Sequence, residues 1–242
     1  MRADSRAGSQ CRPSLAAAPA AMLLLSLLAC VLVAGQPAQS RRTPERPNES
    51  HFRQFVDQNW EAGRPVLNSQ EAVNVTIELS DVVLRYQQTC LVTAWVRLMW
   101  HDYRLDWSDR APMNATLDFP VRATSRQWRP SVQVVGVIEK LRLLAVLPEA
   151  LVYRSGNVMT AVPVEFSVPA QFSVPGGSER RCVFTLTPML TSMNFVNLRT
   201  QSSTFGIIYS DVDIKEASIQ RKEILRDCCV FPFAALEYTI VF

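Results

Sequence analysis

The stretch TCLVTAWVRLMWHDYRLDW, residues 89–107, constrains this chain more than any other. Val92, Ala94, Val96, Leu98 and Trp100 fall on one parity, and Leu91, Thr93, Trp95, Arg97 and Met99 on the other. Successive side chains of a strand point to opposite faces. A period of two sustained this long demands a long strand with one buried face. Trp95 lands on the face opposite the core. A large aromatic there either packs against the sheet or belongs to an interface.

The same period recurs. In AVNVTIEL, Val73, Val75, Ile77 and Leu79 share a face against Asn74, Thr76 and Glu78. In FAALEYTIVF, Ala234, Leu236, Tyr238, Ile240 and Phe242 share one, and Phe233 opens the other. VQVVGVIEKLRLLAV, ALVYR, VMTAVPVEFSV, RCVFTLTPML and FGIIYSDVDI are further strand candidates. One helix is expected, in NESHFRQFVDQNW. There Asn48 or Ser50 can cap, and Phe52, Phe55, Val56 and Trp60 follow helical spacing. Many short strands between turn signals, with no repeat, heptad or alternating β/α pattern, predict an all-β antiparallel sandwich with a short N-terminal helix.

The first residues read differently. Arg2, Arg6 and Arg12 precede the uncharged run SLAAAPAAMLLLSLLACVLVAG, closed by small residues near Val33 and Gly35. This is the pattern of a signal peptide over 1–35, with a signal anchor as the alternative. Residues 36–49, around SRRTPERPNES, read as a flexible polar linker, and 50–242 as the folded domain. Cleavage leaves 22 basic against 21 acidic residues, which gives no support for a nucleic-acid partner. No later segment has the apolar length of a membrane span. The mature chain is therefore expected to be secreted, with glycan acceptors at Asn48, Asn74 and Asn114.

Cys90, Cys182, Cys228 and Cys229 remain after cleavage, and four cysteines allow three pairings. Cys228 and Cys229 are neighbours, so each either pairs elsewhere or joins the other in a vicinal disulfide that stiffens a loop tip. Nothing carries catalysis. His51 and His101 match no metal spacing, and no phosphate-cradling glycine loop, nucleophile elbow or C-x-x-C redox motif occurs. No enzyme activity, metal or cofactor is expected.

Three motifs in order resemble one family. WVRLMWHDYRLDW is similar to the signature strand of the extracellular domain of pentameric ligand-gated channels, with Trp95 followed by Trp100, Asp102, Leu105 and Trp107. WRP at 128–130 resembles that family's W-x-P, and SIQRKEILRDCC its nicotinic hairpin ending in paired cysteines. The likeness spans roughly residues 50–242, the extent of the soluble acetylcholine-binding proteins. It implies an immunoglobulin-like sandwich, a homo- or hetero-pentameric ring of like subunits, and small-molecule sites between neighbours. It also implies a Cys228–Cys229 vicinal bond. Trp95, with Val152 and Arg154, would stand on the complementary face, and Val135, Met189, Arg226, Cys228, Cys229 and Phe233 on the principal face.

The family's cage of rings attracts a quaternary ammonium at about 0.5–2 kcal/mol per good contact. Here Val135, Met189 and Arg226 stand where it has a tyrosine, a tryptophan and a tyrosine, so only Trp95 and Phe233 survive by type. Two like charges 4 Å apart cost about 4 kcal/mol even at an effective dielectric near 20, so Arg226 disfavours a cationic ligand. The family's loop-closing disulfide lacks its partner cysteine, because Val168 and Pro169 occupy those positions; Cys182 is then free or pairs with Cys90. Three readings follow: a secreted binder of a ligand that is not cationic, the extracellular part of a cell-surface channel subunit, or a non-ligand extracellular scaffold.

Overall fold

The computed structural model describes residues 49–122, 127–138, 141–144, 149–173 and 176–242. The signal-peptide segment, linker residues 36–48 and the acceptor Asn48 lie outside them, whereas Glu49, the last linker residue expected, opens the helix. Helix α1 (Glu49–Asn59) buries Phe52, Phe55 and Val56 on one stripe. Phe52 stacks on Phe119 at 4.6 Å between ring centroids and meets Trp107 edge-on at 5.4 Å. Trp60, just beyond the helix, donates from its indole N–H to the Trp128 carbonyl at 3.1 Å. The helix is held by its apolar face rather than by intrinsic propensity, as short helices usually are.

Among the described residues twelve strands follow: β1 (Val73–Tyr86), β2 (Thr89–Asp106), β3 (Asp118–Arg122), β4 (Val132–Val135), β5 (Arg142–Leu143), β6 (Glu149–Tyr153), β7 (Ser155–Phe172), β8 (Arg180–Pro188), β9 (Val196–Arg199), β10 (Ile207–Ser210), β11 (Glu216–Ile224) and β12 (Phe233–Val241). They form a sandwich. The first sheet centres on β1, β2 and β7, and the second on β8, β12 and β11. β7 belongs to both: Asn157–Pro169 pair with β2, and Ala170–Phe172 with β8. Phe166 of β7 meets Phe184 of β8 edge-on at 5.0 Å, and Phe184 stacks on Tyr238 of β12 at 5.2 Å.

The alternation of β2 is realised. Val92, Ala94, Val96 and Trp100 are buried, while Trp95 is 41% exposed. β1 runs further than its sequence pattern. A bulge between Ser80 and Val83, with Asp81 at φ 52°, inserts a residue, so Val82 and Leu84 are buried where the earlier parity would expose them. Aspartate tolerates this left-handed backbone better than most residues. Near Gly136, at φ +92°, the candidate strand 132–146 is interrupted, and its described residues form β4 and β5. β9 and β10 pair with β1 in parallel, an exception to the otherwise antiparallel order.

The W-x-D-x-x-L-x-W residues prove structural. Trp100, Asp102, Leu105 and Trp107 are all buried. Asp102 accepts from the Arg104 guanidinium at 2.8 Å on each oxygen and from the Arg104 backbone N–H at 3.1 Å. That hydrogen-bonded pairing raises the Arg104 pKa. Gly156 lies so close that a Cβ there would stand 2.6 Å from the Asp102 carbonyl oxygen.

Among the described residues two disulfides are present, Cys90–Cys182 and Cys228–Cys229. Cys90 pairs in register with Val168, one of the positions where the family's partner cysteine would stand. The neighbouring strand thus supplies the thiol that β7 lacks, and the bond ties the two sheets together.

Candidate functional site

The hairpin of β11 and β12 is zipped from Glu216–Val241 to Ile224–Phe233, and its tip carries the two cysteines. Within the tip, the Cys229 N–H donates to the Arg226 carbonyl at 2.9 Å. The Arg226 side chain turns back to the end of β8. Its Nη1 donates to the Met189 carbonyl at 2.9 Å, and its Nη2 to the Pro188 carbonyl at 3.1 Å and the Thr187 hydroxyl at 3.5 Å. The guanidinium carbon lies 4.0 Å from the Phe233 ring centroid. Thr187 in turn donates to the Ala234 carbonyl at 3.2 Å, fastening β8 to β12 beneath the tip.

Met189, Arg226, Cys228, Cys229 and Phe233 are therefore gathered at one end of the second sheet. Phe233 is only 3% exposed, because Arg226 covers its ring. The apolar groups that do reach the surface around the tip are Met189, Leu190, Leu225, Val230 and Phe231. The sequence marked none of the acceptors Thr187, Pro188 and Met189 as partners of Arg226, because they come from a strand far away in the chain.

Val135 stands apart. It pairs with Thr185, whereas the Met189 N–H bonds to the Ser131 carbonyl, so Val135 sits about 13 Å further along the strand at roughly 3.3 Å per residue. It borders a separate hollow with Lys222 and Glu237, which form an ion pair at 2.6 Å.

Trp95 belongs to the other sheet. Across the strands it is flanked by Ser80 on β1 and Pro163 on β7, and the Leu144 N–H donates to the Pro163 carbonyl at 2.9 Å. The exposed Trp95 and Leu144 thus flank the half-buried Pro163 in one apolar row, with Arg97 on the same parity of β2. Val152 is fully buried, so its side chain packs in the core and presents nothing to a surface site. The outward parity of β6 carries the exposed Glu149 and the half-buried Leu151 and Tyr153. Arg154 is exposed, and its Nη1 donates to the Asn114 carbonyl at 3.0 Å. Asn74 is exposed on β1 and accepts from Asn197 at 3.1 Å, whereas Asn114 lies in a single 3-10 turn, Met113–Ala115.

His101 contacts Asn157 at 3.2 Å. Among the described residues, no group of three or more His, Cys, Asp or Glu side chains could hold a metal ion, and no helix is long and apolar enough to cross a membrane.

Comparison with known proteins bears on the fold and the family. A curated relative, acetylcholine receptor subunit gamma of Gallus gallus, is 27% identical over 148 residues, covering 59% of this chain and 27% of its own length. The chain thus spans about a quarter of that relative. A solved structure, Capitella teleta AChBP in complex with lobeline, superposes with TM-score 0.65 at 20% identity, over 80% of this chain and 96% of that one. The model of the family described as neurotransmitter-gated ion-channel ligand binding domain matches residues 49–241, and the chain belongs to that family.

Proposed function

We infer that this chain is a secreted ligand-binding subunit that assembles with like chains into a ring of five and binds a small molecule between neighbours. Met189, Arg226 and the Cys228–Cys229 tip furnish one wall, and Trp95 of the adjacent copy, with Pro163 and Leu144, the other. The observation that carries this reading is the separation of the two half-sites. The exposed Trp95 row and the Arg226 tip sit on different sheets of one chain, so a second copy is needed to close a site.

The ligand is uncharged or anionic. With Phe233 covered, Trp95 is the one surviving cage ring left open, and Arg226 places a fixed positive charge at the tip. A guanidinium has five N–H donors. Three are directed at Met189, Pro188 and Thr187, which leaves two for an acceptor such as a carboxylate.

Light scattering on the secreted protein, followed by tryptophan fluorescence during titration with benzoate, choline and acetylcholine, tests this. A pentameric mass with saturable quenching by benzoate alone, abolished in Trp95→Ala, is the expected result. A monomer at micromolar concentration, or saturation by acetylcholine, overturns it. A folded pentamer silent to every probe favours the scaffold reading.

The second reading, the ligand-binding part of a channel subunit, is favoured by the likeness to the chicken receptor subunit. Transcript sequence beyond codon 242 decides between them.

A further inference from the structure

At the tip of the β11–β12 hairpin a charged side chain, Arg226, reaches back to the end of β8, beside the backbone bond from the Met193 N–H to the Pro232 carbonyl at 2.9 Å. We propose that Phe233, Pro188 and Met189 form a seat for a planar organic cation, and that the chain fills this seat with its own Arg226. The arginine then acts as a resident occupant that latches the hairpin shut.

A cation over a ring face is drawn by the ring quadrupole, and carbonyl oxygens complete the match for a cation that also carries N–H groups. The seat has both: the Phe233 ring 4.0 Å from the guanidinium carbon, and the Met189 and Pro188 carbonyls at 2.9 and 3.1 Å. Phe233 is buried, with the guanidinium lying over its ring face.

The seat's preferences follow from that geometry. Guanidinium and amidinium ions satisfy the ring and both carbonyls together. A tetra-alkylammonium has no N–H and can use the ring alone. Within the intact chain no free cation competes well, because the tethered arginine is held at high effective concentration. The latch also restrains the disulfide tip, since Arg226 stands two residues before Cys228 and its carbonyl accepts the Cys229 N–H.

The seat lies wholly within one chain. The proposal rests on the interface reading only for its consequence, that a ligand between neighbours meets a closed and positively charged tip. A monomeric preparation tests it equally well, so its failure is distinguishable from failure of the ring or of ligand binding.

The experiment is hydrogen exchange and thermal unfolding of Arg226→Ala, with and without millimolar methylguanidinium. Amides of residues 225–232 should exchange at least about tenfold faster in the variant, since charge-assisted bonds are lost. Methylguanidinium should restore their protection and raise Tm saturably, while tetramethylammonium and sodium chloride at equal ionic strength restore little. Wild type should show no saturable response. Should Arg226→Ala fold poorly, Arg226→Lys, which keeps the charge but loses the planar fork, is expected to lose tip protection in part and regain none with methylguanidinium. The proposal is overturned if tip exchange in Arg226→Ala matches wild type, if salt rescues as well as methylguanidinium, or if wild type binds methylguanidinium with the same midpoint.

Discussion

Cys90 of β2 and Cys182 of β8 are joined across the two sheets, with their Cα atoms 6.2 Å apart and a sequence separation of 92. The bond enters the sandwich five residues before Trp95 and seven before Met189. It therefore anchors both strands that carry the candidate half-sites.

Removing it should cost stability in proportion to the long loop it closes. Replacing both cysteines by alanine is expected to destabilise by about 2–5 kcal/mol. For a domain of this size that is a Tm lower by roughly 5–15 °C. Calorimetry of the double variant checks this, and thiol titration of the unreduced wild type should find none of the four cysteines free.

The buried pair of Asp102 and Arg104 gives a second test. The two side chains are 0% and 13% exposed, so a change at Asp102 strands a largely buried guanidinium. Glu61, 74% exposed and 3.8 Å away, is too solvated to compensate. Asp102→Asn should cost about 3–5 kcal/mol, and replacing both residues by leucine should recover part of that loss. Urea unfolding measures both.

Acid should weaken the turn after β2. Asp106 accepts from the Ser108 N–H at 2.8 Å, and its contacts to Ser108 hold its pKa below the ordinary carboxylate value. A group whose folded pKa is depressed contributes stability above its unfolded pKa, near 3.9, and loses it as pH falls through the folded value. Asp106→Asn should therefore flatten that part of the Tm–pH curve below about pH 4, leaving the remaining carboxylates to account for the rest.

Tyr238 offers the opposite sign. Its ring stacks on Phe184 and meets Phe205 edge-on at 5.4 Å, and its hydroxyl is buried without a hydrogen-bond partner among the described residues. Burial first, and then the charge of Glu78, push its pKa up. Because the folded state keeps the proton that the unfolded chain releases near pH 10, this contribution falls as pH rises beyond that point. Tyr238→Phe removes an unpaired buried hydroxyl. Its Tm should equal or exceed wild type by the equivalent of about 1 kcal/mol, with a shallower alkaline decline.

What the sequence determined by itself is local in origin. Period two in β2 and β12, and the 3-4 spacing of Phe52, Phe55 and Val56, are written in neighbouring residues, so the strands, the helix and the outward Trp95 are legible in the amino-acid order alone. So is the family, because Trp95, Trp100, Asp102, Leu105, Trp107 and the cysteine pair keep their order and spacing. The parity of ALVYR also places Val152 with the buried Ala150, a signal that the resemblance overrode. The bulge at Asp81 is not legible, since one inserted residue reverses every later side chain of β1 while leaving its composition strand-like.

Tertiary structure alone decided which distant residues meet. Pairing Cys90 with Val168 in register sets a thiol opposite Cys182, and that register is a property of two strands rather than of either one. The same holds for Arg226. Its sequence position suggests only a charge at the mouth of a site, whereas the packing of β12 against β8 brings Phe233, Pro188 and Met189 within its reach and turns that charge inward onto its own chain.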